Sequence, residues 1–446
     1  MTALVVLDVV GLTPRLLEHM PRLRAVADRG FQAPLGTVLP AVTCSVQSTF
    51  LTGLTPAGHG VVGNGWYFRD LGEVFLWRQH NALVGGEKIW DARPGLTVAN
   101  VCWWYAMGAN VDWTITPRPI YRADGRKEPD CYTYPPELHD ELPPFPLFTY
   151  WGPGAGLPSS QWIVDAARHL LDTRHPDLTL VYVPHLDYDL QRFGPSSPQA
   201  RRAAAELDAV LAPLLDRPDT TVVALSEYGI TDVNRPVDIN RLLRSEGLLN
   251  VHTQDGMEYL DPWTSRAFAV ADHQVAHVYV REHGDIPAVA KLCAGLPGVA
   301  EVLDETGKAA HGIDHARSGE LVLVAEPDAW FTYYYWLDDA AAPDFARCVE
   351  IHRKPGYDPA ELFFDPAAPG AARRRAITAV ARKKMGLRYL MNVVGLDAGA
   401  QAVRGSHGRL PADPADAPVL LCSEGAAARE QVAATEVKAL LLELLS

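Results

Sequence analysis

The chain carries no run of about 18 consecutive apolar residues, the length a membrane-spanning helix needs, so nothing in it reads as a transmembrane segment. It also lacks a basic N-terminal stretch followed by an apolar run and a small-residue cleavage site. Leu4 to Leu7 is already strand-like, which predicts a chain without a signal peptide and a cytoplasmic location. The six cysteines (Cys44, Cys102, Cys131, Cys293, Cys348, Cys422) are scattered and contain no Cys-x-x-Cys pair, so free thiols in a reducing compartment are expected. Positive charge is scarce: 40 Lys and Arg face 54 Asp and Glu, a net charge of -14. That excludes non-specific binding to nucleic acid or to an anionic membrane, both of which need a basic surface. It leaves room for a small anionic substrate, because the local charge at a metal site can oppose the global sign.

What is present suits a soluble globular enzyme, with 48% hydrophobic and 21% charged residues. At 446 residues the chain is too long for one simple domain and fits a large core with an insertion. The stretch Pro40 to Asn64 organises it. Gly36 to Leu39 is strand-like and stops at Pro40; a hydroxyl-rich segment follows, and Gly53 closes a short helix. Thr43 falls where strand hands over to helix. Helix N-termini present free N–H groups and a positive dipole end, so a hydroxyl there is well placed to attack phosphorus. The competing reading is a Thr helix cap.

Taken in order, Ala3 to Val10 reads as a buried strand with Asp8 near its end, a costly carboxylate unless paired or bound to a cation. Thr13 to Asp28 has helical periodicity, and Leu96 to Trp104 reads as a strand. Met107 to Pro158, rich in Pro, Tyr, Trp and Gly, reads as loops over an active site, with Trp103, Trp104, Tyr105 and Trp113 as a candidate stacking wall or plain core packing. Ser159 to Asp172 is a helix, Leu178 to Val183 a strand leading into Asp187, Pro198 to Leu215 an amphipathic helix, and Thr220 to Leu225 a strand ending in Ser226-Glu227-Tyr228-Gly229. Alternating strands and helices predict an α/β fold with a largely parallel central sheet and helices on both faces. Ligands collect at the carboxyl ends of such strands, and Asp8, Thr43, Asp187 and Glu227 all fall there.

From Val237 to Asp397 the pattern changes to that of an inserted α+β cap, so 1–236 and 398–446 form the expected core and 237–397 the expected cap. Phe268 to Val280 reads as one strand carrying His273 and His277 on a shared face. That pair, like His311 and His315, is a weak candidate for a separate metal site against ordinary hydrogen-bonded histidines. Arg373 to Met385 is a basic helix with a solvated face. Val403 to Gly408 places His407 in a glycine-flanked loop before a last strand, Pro418 to Cys422, and the tail Glu424 to Ser446 reads as a helix.

Order and spacing over most of the chain resemble the alkaline-phosphatase superfamily, in particular its nucleotide pyrophosphatase/phosphodiesterase (type I phosphodiesterase) branch. The first-strand Asp is met by Asp8, and the threonine nucleophile and its helix ending in Thr-Gly-Leu by Thr43 and Thr52-Gly53-Leu54. The Gly-His-Gly-x-x-x-Asn element is met by Gly58 to Asn64, the Asp before Gly-Pro by Asp187 with Gly194-Pro195, and the closing Gly-x-His-Gly by Gly405 to Gly408. The resemblance implies that Thr43 is the nucleophile, that Asn64 helps hold a phosphate oxygen, and that His59 is structural.

It also implies two zinc ions held by His and Asp. Three positions depart: Gln191 stands for a His, and Glu227-Tyr228 for Asp-His. The implied ligands are then Asp8, Thr43, Glu227 and Tyr228 on one side and Asp187, Gln191 and His407 on the other, with His185 or Asp189 as substitutes. A set so rich in oxygen suits Mg²⁺, Mn²⁺ or Ca²⁺ better than zinc, as one ion or two. The expectation is a metal-dependent hydrolase of a phosphodiester or pyrophosphate, with a small phosphorylated substrate such as a nucleotide. The alternatives are a binding protein that kept the fold and lost catalysis, and a metal-dependent phosphotransfer isomerase or mutase of the same superfamily.

Overall fold

In the computed structural model, which describes residues 3–123, 126–365, 370–387 and 391–446, the first strand sets the frame. Ala3–Val9 is buried on both sides and lies in parallel between Thr220–Leu225 and Leu178–Val183. Its side chains alternate: Val5, Leu7 and Val9 join one apolar layer with the helices Leu157–Thr173 and Pro198–Leu215, while Leu4 and Val6 join another with the helix Thr43–Thr52 and the C-terminal helix Val437–Leu444. Asp8 has the parity of Leu4 and Val6. It is therefore carried on the face against which the Thr43 helix packs.

The sheet has eight strands, in the order Phe31–Pro34, Val419–Cys422, Thr220–Leu225, Ala3–Val9, Leu178–Val183, Val98–Val101, Trp113–Pro117, Cys131–Tyr134. The middle strands from Thr220–Leu225 to Trp113–Pro117 run parallel, and the three outer ones are antiparallel to their neighbours. The expected α/β class with helices on both faces is what forms.

Several boundaries differ from the sequence reading. The strand before Thr43 is Phe31–Pro34, not Gly36 to Leu39: Gly36 and Leu35 instead tie to the C-terminal segment through Val432. Thr13 to Asp28 splits into Pro14–Leu17 and Pro21–Arg29, because Pro21 has no N–H to continue a helix and starts a new one. The strand in Leu96 to Trp104 is confined to Val98–Val101; Cys102 and Tyr105 then turn through positive φ. Met107 to Pro158 is not loop throughout, since it contributes two strands to the sheet edge. Of the tail, only Val437–Leu444 is α-helical.

Within 237–397 a second, four-stranded antiparallel sheet forms from Ala267–Asp272, Val275–Val280, Leu321–Ala325 and Val299–Leu303. Its apolar cluster contains the aromatic run Phe331 to Trp336, buried throughout. Phe268 to Val280 is therefore a hairpin rather than one strand, turning at His273 and Gln274. His273 and His277 part company as a result: His277 Nε2 bonds the Val62 carbonyl at 2.8 Å and its Nδ1 accepts from Gly319 N at 3.1 Å, while His273 points into the site described below. The basic helix spans Ala371–Lys384, with the Arg373 side chain outside the described residues. No helix among the described residues is long and apolar enough to cross a membrane. All six cysteines are free thiols.

Candidate active site

Thr43 is the first residue of the helix Thr43–Thr52, reached from an extended Val42 and closed by Gly53 at φ 73°. A left-handed residue is needed to end the helix there, and glycine takes that conformation without a Cβ clash. The Thr43 side chain lies on the wall of a cavity of about 2120 Å³, shared with Asp187, Tyr228, His273, Tyr357 and His407. Thr43 Oγ lies 3.2 Å from the Tyr228 hydroxyl.

Behind Thr43 sit two fully buried carboxylates, Asp8 from the first strand and Glu227 from the end of Thr220–Leu225. Gln47, one helical turn after Thr43, holds both: its Nε2 donates to Asp8 Oδ2 at 2.9 Å and to Glu227 Oε1 at 2.7 Å. The amide cannot turn round, because Gln47 Oε1 accepts from Trp104 N at 2.8 Å. The other oxygens, Asp8 Oδ1 and Glu227 Oε2, are buried with no hydrogen-bond partner. Burial pushes Asp8 up to about 7, and burial together with the charge of Asp8 pushes Glu227 well above the carboxylate range. Two buried carboxyl groups this close are held together by a proton between them or by a cation in its place, since leaving either oxygen unpaired costs roughly 1–3 kcal/mol.

The other end of the site is built of imidazoles. His407 donates Nδ1–H to the Ala41 carbonyl at 2.8 Å, which leaves Nε2 as an acceptor 3.9 Å from Asp187 Oδ1. Asp187 Oδ1 is buried and unpartnered; Oδ2 accepts from Gln191 Nε2 at 2.7 Å. The Gln191 oxygen is taken by the Tyr357 hydroxyl at 2.8 Å. Burial pushes Asp187 up to about 7 and both His407 and His273 well below the imidazole range. Four rings line up across this end: Tyr228 stacks on His407 with centroids 3.5 Å apart, His407 meets His273 at 3.7 Å with the planes tilted by 37°, and His273 stacks on Tyr357 at 3.6 Å.

A clamp joins the two ends. Asn64 Oδ1 accepts from Cys44 N at 3.0 Å, while Asn64 N and Nδ2 donate to Asp272 at 2.8 and 3.1 Å. His273 Nδ1 meets the same carboxylate at 2.9 Å. Asn64, which the resemblance assigns to a phosphate oxygen, is thus engaged with the backbone after Thr43 and with Asp272, and it does not line the cavity.

The first of the implied metal positions fits one cation: Asp8 Oδ1, Glu227 Oε2 and the Thr43 hydroxyl are hard oxygen donors, with both carboxylates braced from behind by Gln47. The second position does not fit on its own donors. Gln191 presents N–H rather than oxygen to Asp187, which leaves only Asp187 Oδ1 and His407 Nε2, and Tyr228 lies flat against the His407 ring. The substitutes do not enter: Asp189 pairs with Arg192 at 3.2 Å, and His185 is buried away from the cavity lining.

Among the described residues, the one group of three His, Cys, Asp or Glu ligand atoms within 4.8 Å of one another is Asp130, Cys131 and His139, where His139 already bonds Asp130 at 2.7 Å. Neither His273 with His277 nor His311 with His315 makes such a group. His59 bonds Thr49 Oγ at 3.0 Å and caps Val61 N.

Of the expected stacking wall, only Trp104 faces the cavity; Trp77, Trp151 and Tyr357 complete it. Sequence reading missed Gln47, Asp272, His273 as a site residue, and Tyr357. Gln47 carried a usable signal, a polar residue four after Thr43 and so on the same helix face. The other three lie far along the chain from Thr43 and carried none.

The family described as type I phosphodiesterase / nucleotide pyrophosphatase matches residues 4–358. An uncharacterized pyrophosphatase/phosphodiesterase of Schizosaccharomyces pombe is 24% identical over 263 residues, 56% of this chain and 47% of that protein, so the match spans about half of the curated relative. Phosphonoacetate hydrolase from Sinorhizobium meliloti, solved with phosphonoformate, superposes with a TM-score of 0.62 at 15% identity, covering 100% of this chain and 96% of that one. Murine ectonucleotide pyrophosphatase/phosphodiesterase 5 gives 0.58 at 16%, covering 99% and 95%. An inactive form of the murine protein in complex with AMP gives 0.58 at 15%, covering 100% and 95%. At these identities the solved structures show the shared fold.

Proposed function

From the premise that this chain belongs to the type I phosphodiesterase / nucleotide pyrophosphatase family, we propose that it hydrolyses a phosphodiester or pyrophosphate bond of a small substrate through Thr43. The observation that carries the reading is the placement of Thr43: first in its helix, on the cavity wall, and backed by the unpartnered oxygens of Asp8 and Glu227. Asp8, Glu227 and the Thr43 hydroxyl would hold one divalent cation, which supplies a lowered hydroxyl pKa and compensation of phosphoryl charge.

The chain's own groups do the rest. Thr43 attacks phosphorus, with Tyr228 hydrogen-bonded to its hydroxyl. Gln47 fixes the two carboxylates, and Asn64 holds the turn after Thr43. Asp187, raised to about 7 by burial, carries a proton that it gives to the oxygen that leaves, and His407 Nε2 lies beside it, 3.9 Å from Asp187 Oδ1. Trp77, Trp104 and Trp151 offer flat faces to an organic group on the phosphate, such as a nucleotide base. In this reading 1–236 and 398–446 are the catalytic core and 237–397 the cap, and the free thiols fit a cytoplasmic enzyme.

A second reading, a binding protein that kept the fold and lost catalysis, is favoured by Gln191, whose amide turns a donor toward Asp187 where a ligand is expected. One experiment separates the two: metal content of the protein purified without added metal, with turnover of a nitrophenyl phosphodiester in Mg²⁺, Mn²⁺ and Zn²⁺. About one cation per chain with turnover supports the hydrolase. Absence of turnover with every cation overturns it.

A further inference from the structure

His273 stands at the tip of the cap hairpin with φ 60°. Left-handed backbone is uncommon for residues other than glycine, with asparagine, aspartate and histidine the most tolerant, and hairpin turns select glycine and asparagine. A histidine held there is a feature to be explained by what its side chain does. Three further observations say what that is. The ring is buried, yet it lies on the wall of the same cavity as Thr43. Its Nδ1 is fixed by Asp272, an acceptor that also takes two bonds from Asn64, so Nδ1 carries the hydrogen and Nε2 carries the lone pair. Nε2 is buried with no hydrogen-bond partner. The hairpin is also tied to the His407 loop, through Gln274 N and the His407 carbonyl at 2.8 Å, and the two imidazoles lie with centroids 3.7 Å apart and planes tilted by 37°.

We propose that His273, supplied by the cap, is a catalytic residue that accepts a proton from the water that hydrolyses the Thr43-bound phosphoryl intermediate. The proposal rests on the reading of Thr43 as nucleophile. The water oxygen bonds to phosphorus as the P–Oγ bond to Thr43 breaks. One water proton goes to Nε2. The electron pair of the broken bond stays on Thr43 Oγ, which takes up the proton that Nε2 releases as product leaves. Asp272 orients the ring and, through Asn64 and Cys44 N, ties it to the turn that carries the nucleophile.

The test uses the full chain and the variant His273→Asn, since asparagine accepts the left-handed position and relieves its strain. The probe is a nitrophenyl phosphodiester, followed from the first turnover, with intact-mass analysis of the protein. The expected result is a variant whose melting temperature is no lower than that of the parent. It releases about one nitrophenol per chain at close to the parent rate, then turns over about 100-fold or more slowly, with a phosphoryl adduct accumulating on Thr43.

The proposal is overturned if burst and turnover fall by the same factor, if turnover is unchanged, or if the loss of activity follows a fall in melting temperature. It is overturned as well if metal content per chain drops in the variant, which would make His273 a cation ligand. A parent protein that neither turns over nor forms an adduct defeats the Thr43 reading itself, a result the variant does not produce when the parent is active.

Discussion

The two ends of the site are built on different plans. The carboxylate end, Asp8, Thr43, Gln47 and Glu227, comes from the first sheet: two adjacent parallel strands and the helix packed on them. The imidazole end joins Asp187 and His407 to Asp272 and His273 at the turn of the second sheet's hairpin and to Tyr357. The first gathers acceptor oxygens around one amide and leaves two of them free. The second uses its hydrogen bonds on orienting rings. The difference teaches that one end is shaped to hold positive charge and the other to place neutral acceptors on the cavity wall, so substitutions at the two ends should fail in different ways.

Thr43→Ala breaks the comparison most severely. It should abolish turnover of a nitrophenyl phosphodiester by about 10⁴-fold or more while circular dichroism shows an unchanged fold, because only the nucleophile is lost. Unchanged activity would return Thr43 to the role of a helix cap. Next, Glu227→Gln removes one of the two charges at the carboxylate end. Metal content measured by plasma mass spectrometry should fall toward zero and turnover by about 100-fold or more. The imidazole end predicts no such loss of metal for changes at His407 or His273, and a loss there would erase the distinction.

Gln47→Leu sharpens it further. The two carboxylates lose their common donor and Trp104 N loses its acceptor. Cation affinity by titration calorimetry should fall about 10- to 100-fold, and chemical denaturation should show a loss of about 2–4 kcal/mol.

The smallest effect is a pH dependence. In protein stripped of divalent cations, Asp8 and Asp187 are raised to about 7 and Asp272 to about 6, all chiefly by burial. The folded state then binds more protons than the unfolded chain between the ordinary carboxylate range and these values. Stability is therefore fully present below about pH 4 as far as these groups are concerned, and it is lost progressively as pH rises from about 4 through 6 to 7, levelling off above. The melting temperature of the stripped protein should fall over that window. Added divalent cation should restore the part due to Asp8 and Glu227 and leave the part due to Asp187 and Asp272, which separates the two ends in one titration.

The parts of this site that were legible in the sequence share one physical cause. Buried parallel strands are continuous apolar runs, so a carboxylate at the end of one stands out, and the carboxyl ends of such strands face one edge of the sheet. Asp8, Asp187 and Glu227 were readable for that reason, and Thr43 because a hydroxyl-rich segment opens a short helix. Gln47 was half legible through its helical spacing. The bond from Asn64 to Asp272 spans 208 residues and the one from Tyr357 to Gln191 spans 166, and no local pattern announces either. His273 was read on a single strand with His277, because a two-residue turn without glycine or asparagine leaves no turn signal in a β-branched, apolar run.

By itself the sequence determined the alternation of apolar segments, and with it a parallel sheet whose strand ends collect Asp8, Asp187, Glu227 and the Thr43 helix, since side-chain period and burial follow from local composition. Only the tertiary structure decided which oxygens are left free, which way the Gln47 and Gln191 amides face, and that a cap hairpin delivers His273 beside His407. Each of these depends on partners brought together from distant parts of the chain, where a hydrogen bond is fixed by geometry in space and not by neighbours in sequence.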